Sequence, residues 1–146
     1  MPTAAKAVSA ILFGGLFYYL TTLSIVTFDD GLLPKWYYEV NVLIAAICGW
    51  RILGERAGRS YSYAISHSVT TLVAIVFWVL LSHGFSEMIK QSLRNQYDTV
   101  MDAIPGSFGN SLDLGKQLAT SEILVTMVIA TLVIAFVVEF TSRRWS

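Results

Sequence analysis

Few residues in this chain have the chemistry to act on another molecule, and they are spread along its length. Cys48 is the single cysteine. A thiolate is nucleophilic and reducing. Arg51, three residues on, would share a helical face with it and favour the anion. Within an apolar run the same thiol also reads as a small, inert packing residue. His67 and His83 are 16 residues apart on one apolar stretch. That separation is about 24 Å along a helix, so they do not share a metal. His83 and Glu87 are four apart and offer two ligands on one face. Two ligands hold no ion without further donors, such as Asp29 or Asp30. His67 reads as a hydrogen-bonded member of a ridge formed by Ser62, Ser66 and Thr70. No GxSxG, HExxH, P-loop or paired-cysteine motif occurs. The residues therefore specify no enzyme, no cofactor and no metal set. Those left as functional or interface candidates are Cys48, Trp50, Arg51, Arg59, His67, His83 and Glu87.

The elements that must position these residues are set by composition. The chain is 55% hydrophobic and 14% charged, where a soluble domain carries about a quarter charged residues. The charges fall in short clusters between long uncharged runs, the pattern of an all-α polytopic membrane protein. Ten basic and ten acidic residues cancel, which leaves no general attraction to nucleic acid. One cysteine excludes an intramolecular disulfide and a CxxC site.

Four spans are expected, in a single membrane domain over residues 1–146. The first, about 7–28, is an uncharged run of 22 residues between Lys6 and Asp29, or about 33 Å of helix. It is too long for a secretory signal core and reads as an uncleaved anchor. The second, about 36–53, is the weakest, with only 11 residues between Glu39 and Arg51. Its Ala45, Ala46 and Gly49 suit close packing against another helix. The third, about 61–85, lies in the longest uncharged run, and its Ser/Thr ridge predicts hydrogen bonds to a neighbouring helix. Phe85, Ile89, Leu93, Tyr97, Met101 and Ile104 then recur every three or four residues. They predict an amphipathic helix over about 86–104, ended by Pro105-Gly106 and followed over 107–120 by a loop with one short helical piece around Leu112 to Leu118. The fourth span is about 122–141, closed by Arg143-Arg-Trp145.

The stretch Cys48–Arg59 joins the second span to the third and holds Arg51, Arg56 and Arg59. With four spans, it shares one side with both termini. That side carries Lys6, Arg51, Arg56, Arg59, Arg143 and Arg144, against Lys35, Lys90, Arg94 and Lys116 on the other. The excess of basic residues predicts cytoplasmic termini. Within the turn, Gly54 and Gly58 match GxxxG only formally, and read as residues that let the chain turn.

Several features shared over the whole length resemble the TrgA family of small bacterial membrane proteins. They are the opening Met1-Pro-Thr-Ala-Ala-Lys6, Gly49-Trp-Arg51, Ala57-Gly-Arg59, Phe77-Trp78, Ser92-Leu-Arg94 with Tyr97-Asp98, and Arg143-Arg-Trp145. The connection Asp29–Pro34 is outside the resemblance. The resemblance implies a non-enzymatic inner-membrane protein whose presence raises tolerance to tellurite, and it carries no catalytic residue across. Two other roles are consistent with the residues. One is an accessory or assembly subunit of a larger bioenergetic membrane complex, the other a small ion or oxyanion transporter. The expected partners are the lipid bilayer and either a larger membrane complex or further copies of the chain.

Overall fold

The computed structural model describes residues 4–25, 36–94 and 100–145, and these residues form an all-helical chain. Helix α1 covers Ala4–Ile25. Helix α2 (Tyr37–Cys48) runs without a break into a π-helical turn, Gly49–Leu53. Helices α3 (Tyr61–Leu93), α4 (Val100–Leu118) and α5 (Ser121–Arg144) follow. Helices α1, α3 and α5 are long and apolar enough to cross a membrane. Much of their outer surface is apolar and uncovered by protein, with Ile11, Val73, Val128 and Phe136 exposed. Helix α2 has 12 residues and its π turn five. That is short for a span by length alone.

Helices α1 and α2 are antiparallel and in close register. Asn41 of α2 hydrogen-bonds Thr21 of α1. One level further, Val42 and Ala46 lie against Gly14. Further still, the Ser9 hydroxyl donates to the Gly49 carbonyl at 2.8 Å. The approach is tightest at the π turn. A Cβ on Gly49 would lie 2.8 Å from the Ser9 carbonyl oxygen, and one on Gly54 would lie 2.7 Å from Lys6 Cα. Both obstacles are backbone and cannot rotate away.

The π turn explains how both glycines face α1. In a regular α-helix, residues five apart are separated by about 140° around the axis. The π turn closes its hydrogen bond five residues back, from Gly54 N–H to the Gly49 carbonyl. It thereby brings the two positions toward one face. Gly54 has ordinary helical φ and serves close approach rather than chain reversal. The reversal belongs to Gly58, whose φ is +98°.

A second contact holds the turn against α5. Glu139 is fully buried. Its Oε2 accepts the Gly58 N–H at 2.8 Å, and its Oε1 accepts Arg143 Nε at 2.9 Å. The Arg143 guanidinium also lies over the Tyr61 ring, 4.8 Å from its centroid. On the other side of the turn, Lys6 pairs with Glu55 at 3.4 Å. The start of α1, the turn after α2 and the end of α5 therefore meet at one end of the bundle.

From that end α3 begins at Ser60, whose hydroxyl accepts the Tyr63 N–H as an N-cap. Its 33 residues measure about 50 Å, against about 30 Å of hydrocarbon. The sequence reading differs here. Gly84 does not end the third helix, because one interior glycine costs only about 1 kcal/mol. The expected amphipathic helix over 86–104 is divided instead. Its first half continues α3, residues 95–99 lie outside the described residues, and the rest opens α4. Pro105-Gly106 does not end it either. Pro105 is the sixth residue of α4, so it removes one hydrogen bond near the helix start, and its fixed φ is helical. The stretch after residue 106, which reads as a loop with one short helical piece around Leu112 to Leu118, is continuous helix to Leu118. Helix α4 folds back along α3, so that Gly115 rests on Leu80. Ile104, Phe108 and Leu112, four apart, remain exposed on it. At the first span, the helix starts at Ala4, earlier than 7, and residues 26–35, with Asp29 and Asp30, lie outside the described residues.

The close approach gives a direct test. Gly54→Ala should force α1 and the π turn apart and lower stability by about 1–3 kcal/mol. Gly15→Ala should not lower it, because nothing lies within 4 Å of a Cβ there. Thermal unfolding of the two variants in detergent distinguishes them, and equal stability would refute the role given to Gly54.

Candidate functional site

The most concentrated chemistry lies at the end of the bundle opposite the termini, where α1, α2 and α3 meet. Asn41 is the hub and is 3% exposed. Its Nδ2 donates to Thr21 Oγ1 at 3.0 Å, and its Oδ1 lies 2.7 Å from His83 Nε2. The direction of this chain follows from its far end. Thr21 spends its one hydroxyl proton on the Phe17 carbonyl at 2.6 Å. Its oxygen can then only accept from Asn41, so Asn41 turns its amide nitrogen to Thr21 and its oxygen to the histidine. His83 must carry its proton on Nε2. The proton order from His83 through Asn41 and Thr21 to the α1 backbone is thus fixed by a main-chain carbonyl.

Aromatic rings enclose the cluster. The Tyr37 ring lies 4.3 Å from the His83 ring, and Trp36 stacks on the histidine at 6.4 Å. The Tyr37 side chain is within hydrogen-bonding reach of Ser24 and Asn41. Ser24 donates to the Thr21 carbonyl at 2.8 Å. Below the cluster opens a cavity of about 390 Å³, bounded by all five helices. Thr21, Ser24, Tyr37 and Asn41 supply its hydroxyl and amide groups, and the rest of its lining is hydrocarbon apart from Met127 and the backbone of Gly115.

The residues singled out in the sequence divide. His83 is at the centre of the cluster, as a buried group facing Asn41 rather than a surface partner of Glu87. The Glu87 carboxylate pairs with Lys90 at 3.4 Å. His67 is 16 residues away, and its ring meets Tyr63 edge-on at 4.3 Å. It is not a member of a hydrogen-bonded ridge, since its Nδ1 is buried without a partner among the described residues. The ridge itself faces outward. Ser62, Ser66 and Thr70 are exposed, and Thr70 donates to the Ser66 carbonyl of its own helix. The buried hydroxyls of that helix are Ser68 and Thr71, which no periodic count of Ser and Thr alone selects.

Cys48 is buried and free. Arg51 points away to solvent or headgroups, 3.8 Å from Glu55, and Trp50 is half-buried in the π turn. Arg59 lies over the Tyr63 ring at 5.3 Å. These four belong to the end with the termini, far from His83. Thr21, Tyr37 and Glu139 were not singled out by sequence reasoning, although Glu139, an acid in a 24-residue apolar helix, was visible as an anomaly. No group of three or more metal-ligating side chains exists among the described residues.

Comparison of the chain with protein-family models, with curated proteins and with solved structures finds no match.

The Asn41–His83 bond predicts a non-additive pair. Asn41→Leu and His83→Leu should each destabilise by about 0.6–1.7 kcal/mol, the range for buried hydrogen bonds in membrane helices. The double variant should cost less than the two together, because no polar group is then left unpaired. A double-mutant cycle by reversible unfolding measures this, and strict additivity would mean that the pair is not coupled.

Proposed function

We propose that this chain is a multi-pass protein of the bacterial inner membrane that raises tellurite tolerance without catalysing a reaction. In this reading α2 and its π turn make a fourth crossing beside α1, α3 and α5, and both termini are cytoplasmic. The turn after α2 supports the topology, because it touches the start of α1 through Lys6–Glu55 and the end of α5 through Gly58–Glu139. Helix α2 shadows α1 from Thr21 to Lys6 in antiparallel register, so it covers most of the same depth despite its length. Glu39 and Arg51 at its two ends reach the headgroups.

One observation carries the non-enzymatic reading. Four of the residues through which the chain resembles the TrgA family join its helices. Lys6 pairs with the turn, Gly49 rests on Ser9, Gly58 seats on Glu139, and Arg143 completes that contact. Their roles are architectural. The resemblance itself supplies the tellurite phenotype.

An accessory subunit of a larger membrane complex is the second reading, favoured by Ile104, Phe108 and Leu112 of α4. They form an exposed apolar row on a helix packed against α3. Such a row needs the interface or a partner to cover it.

Deleting the gene should lower tellurite tolerance, with recovery on complementation; unchanged growth in tellurite would refute the leading reading. A reporter active only outside the cytoplasm should be silent when fused after Ser146, and activity would reverse the orientation. Recovery in mild detergent at fixed stoichiometry with a larger complex would move the assignment to the accessory subunit.

A further inference from the structure

We propose that the cavity beneath the Asn41 cluster holds an acyl chain of a bilayer phospholipid, which enters between α3 and α5 from the leaflet away from the termini. The inference goes beyond the tolerance reading and rests only on the placement of the bundle in a membrane. The cavity measures about 390 Å³. Protein interiors are close-packed, and voids larger than a water molecule are few. A space of this size left empty would forfeit dispersion contacts over its whole wall. The wall decides what fills it.

The polar side chains of the wall are already committed. Thr21 donates to the Phe17 carbonyl and accepts from Asn41. Ser24 donates to the Thr21 carbonyl, and Tyr37 bonds Ser24 and Asn41. Asn41 also bonds His83. A buried water needs two to four polar partners, and it would find them only among groups that are bonded already. A polar head group meets the same difficulty. The other described side chains of the lining are hydrocarbon apart from Met127. A run of methylenes makes dispersion contacts with such a wall and brings no polar group to be satisfied.

The way in is lateral. Val73 of α3 and Leu124 and Val128 of α5 line the cavity and are also exposed on the flank of the bundle. Leu72, Val76 and Met127 line it too, but are partly buried against the core. Phe17 and Leu20 of α1, both buried, close the far side. Leu124 is in the first turn of α5, at the end of the bundle opposite the termini, and this sets the leaflet. The head of the lipid stays outside with its neighbours, so the site reads the chain and not the head.

The test uses the full-length protein reconstituted in phospholipid bilayers. A small fraction of the lipid carries a diazirine midway along one acyl chain, on phosphatidylglycerol in one sample and on phosphatidylethanolamine in another. Irradiation and peptide mass spectrometry then locate the label. Leu72, Val76 and Met127 should be labelled, to the same extent from either lipid, beside the exposed Ile129 and Phe136. A diazirine placed in the head group should label none of the three wall residues. Val76→Trp, which fills the cavity, should abolish the label at Met127 and leave that at Phe136. Ile129→Trp, on the exposed flank, should leave both. Label confined to exposed residues, wall labelling from the head-group probe, dependence on one head group, or undiminished label at Met127 in Val76→Trp would each overturn the proposal. If Val76→Trp fails to fold, the map of the parent protein and the head-group probe decide the matter. Tellurite is absent from the assay, so its outcome is independent of the tolerance phenotype.

Discussion

The close seating of Gly49 and Gly54 on the first helix is the constraint on which the rest of this bundle depends. In a bilayer no hydrophobic force drives one apolar helix onto another, and association rests on backbone approach and interhelical hydrogen bonds. Here both are obtained at once. Two missing side chains let the π turn reach Ser9 and Lys6, and the Ser9 hydroxyl bonds the Gly49 carbonyl. That contact fixes the register of α2 on α1. Eight residues before Gly49, the same register sets Asn41 opposite Thr21. A slip by one turn would part Asn41 from both Thr21 and His83, so the glycine contact and the polar cluster select the same arrangement. They do so from opposite ends of one helix pair.

The Glu139 contact does comparable work for α5. A carboxylate buried in an apolar helix is expensive unless its oxygens are bonded. Both oxygens of Glu139 are, one by the N–H of a residue that only glycine adopts comfortably and one by an arginine a turn away. Gly58 is constrained doubly, since a Cβ there would also lie 2.7 Å from Ser142 Oγ. The basic turn therefore does more than anchor headgroups. Its glycines hold α1 and α5, while Arg51 faces outward and Arg59 covers Tyr63.

Much of the fold was legible in the sequence because length and hydropathy decide helices in this class. The starts of α3 and α5, the small-residue face at Ala45 and Gly49, and the weakness of the second apolar run were all visible. The far hairpin was not, because Gly84 and Pro105-Gly106 are strong local breakers whose modest costs tertiary contact overrides. The candidate site was half legible. His83 stood out as an ionisable group, but spacing along the chain groups it with Glu87 in a polar cluster at the interface. Asn41 is 42 residues away and becomes a neighbour only through the register of two helices. The Ser/Thr ridge misled for a related reason. Hydroxyls in an apolar helix bond their own preceding turn readily, so spacing alone does not say which face meets protein.

The electrostatics of the interior bear on how such a protein would influence an oxyanion. The cavity is lined by neutral groups, and the buried histidine already donates to Asn41. Among the described residues, the cationic side chains whose contacts are defined sit at the two ends of the bundle, several of them on acids or aromatic rings. Among the described residues, an anion in the cavity would meet amide and hydroxyl dipoles but no compensating charge, and a carrier needs such compensation near its midplane.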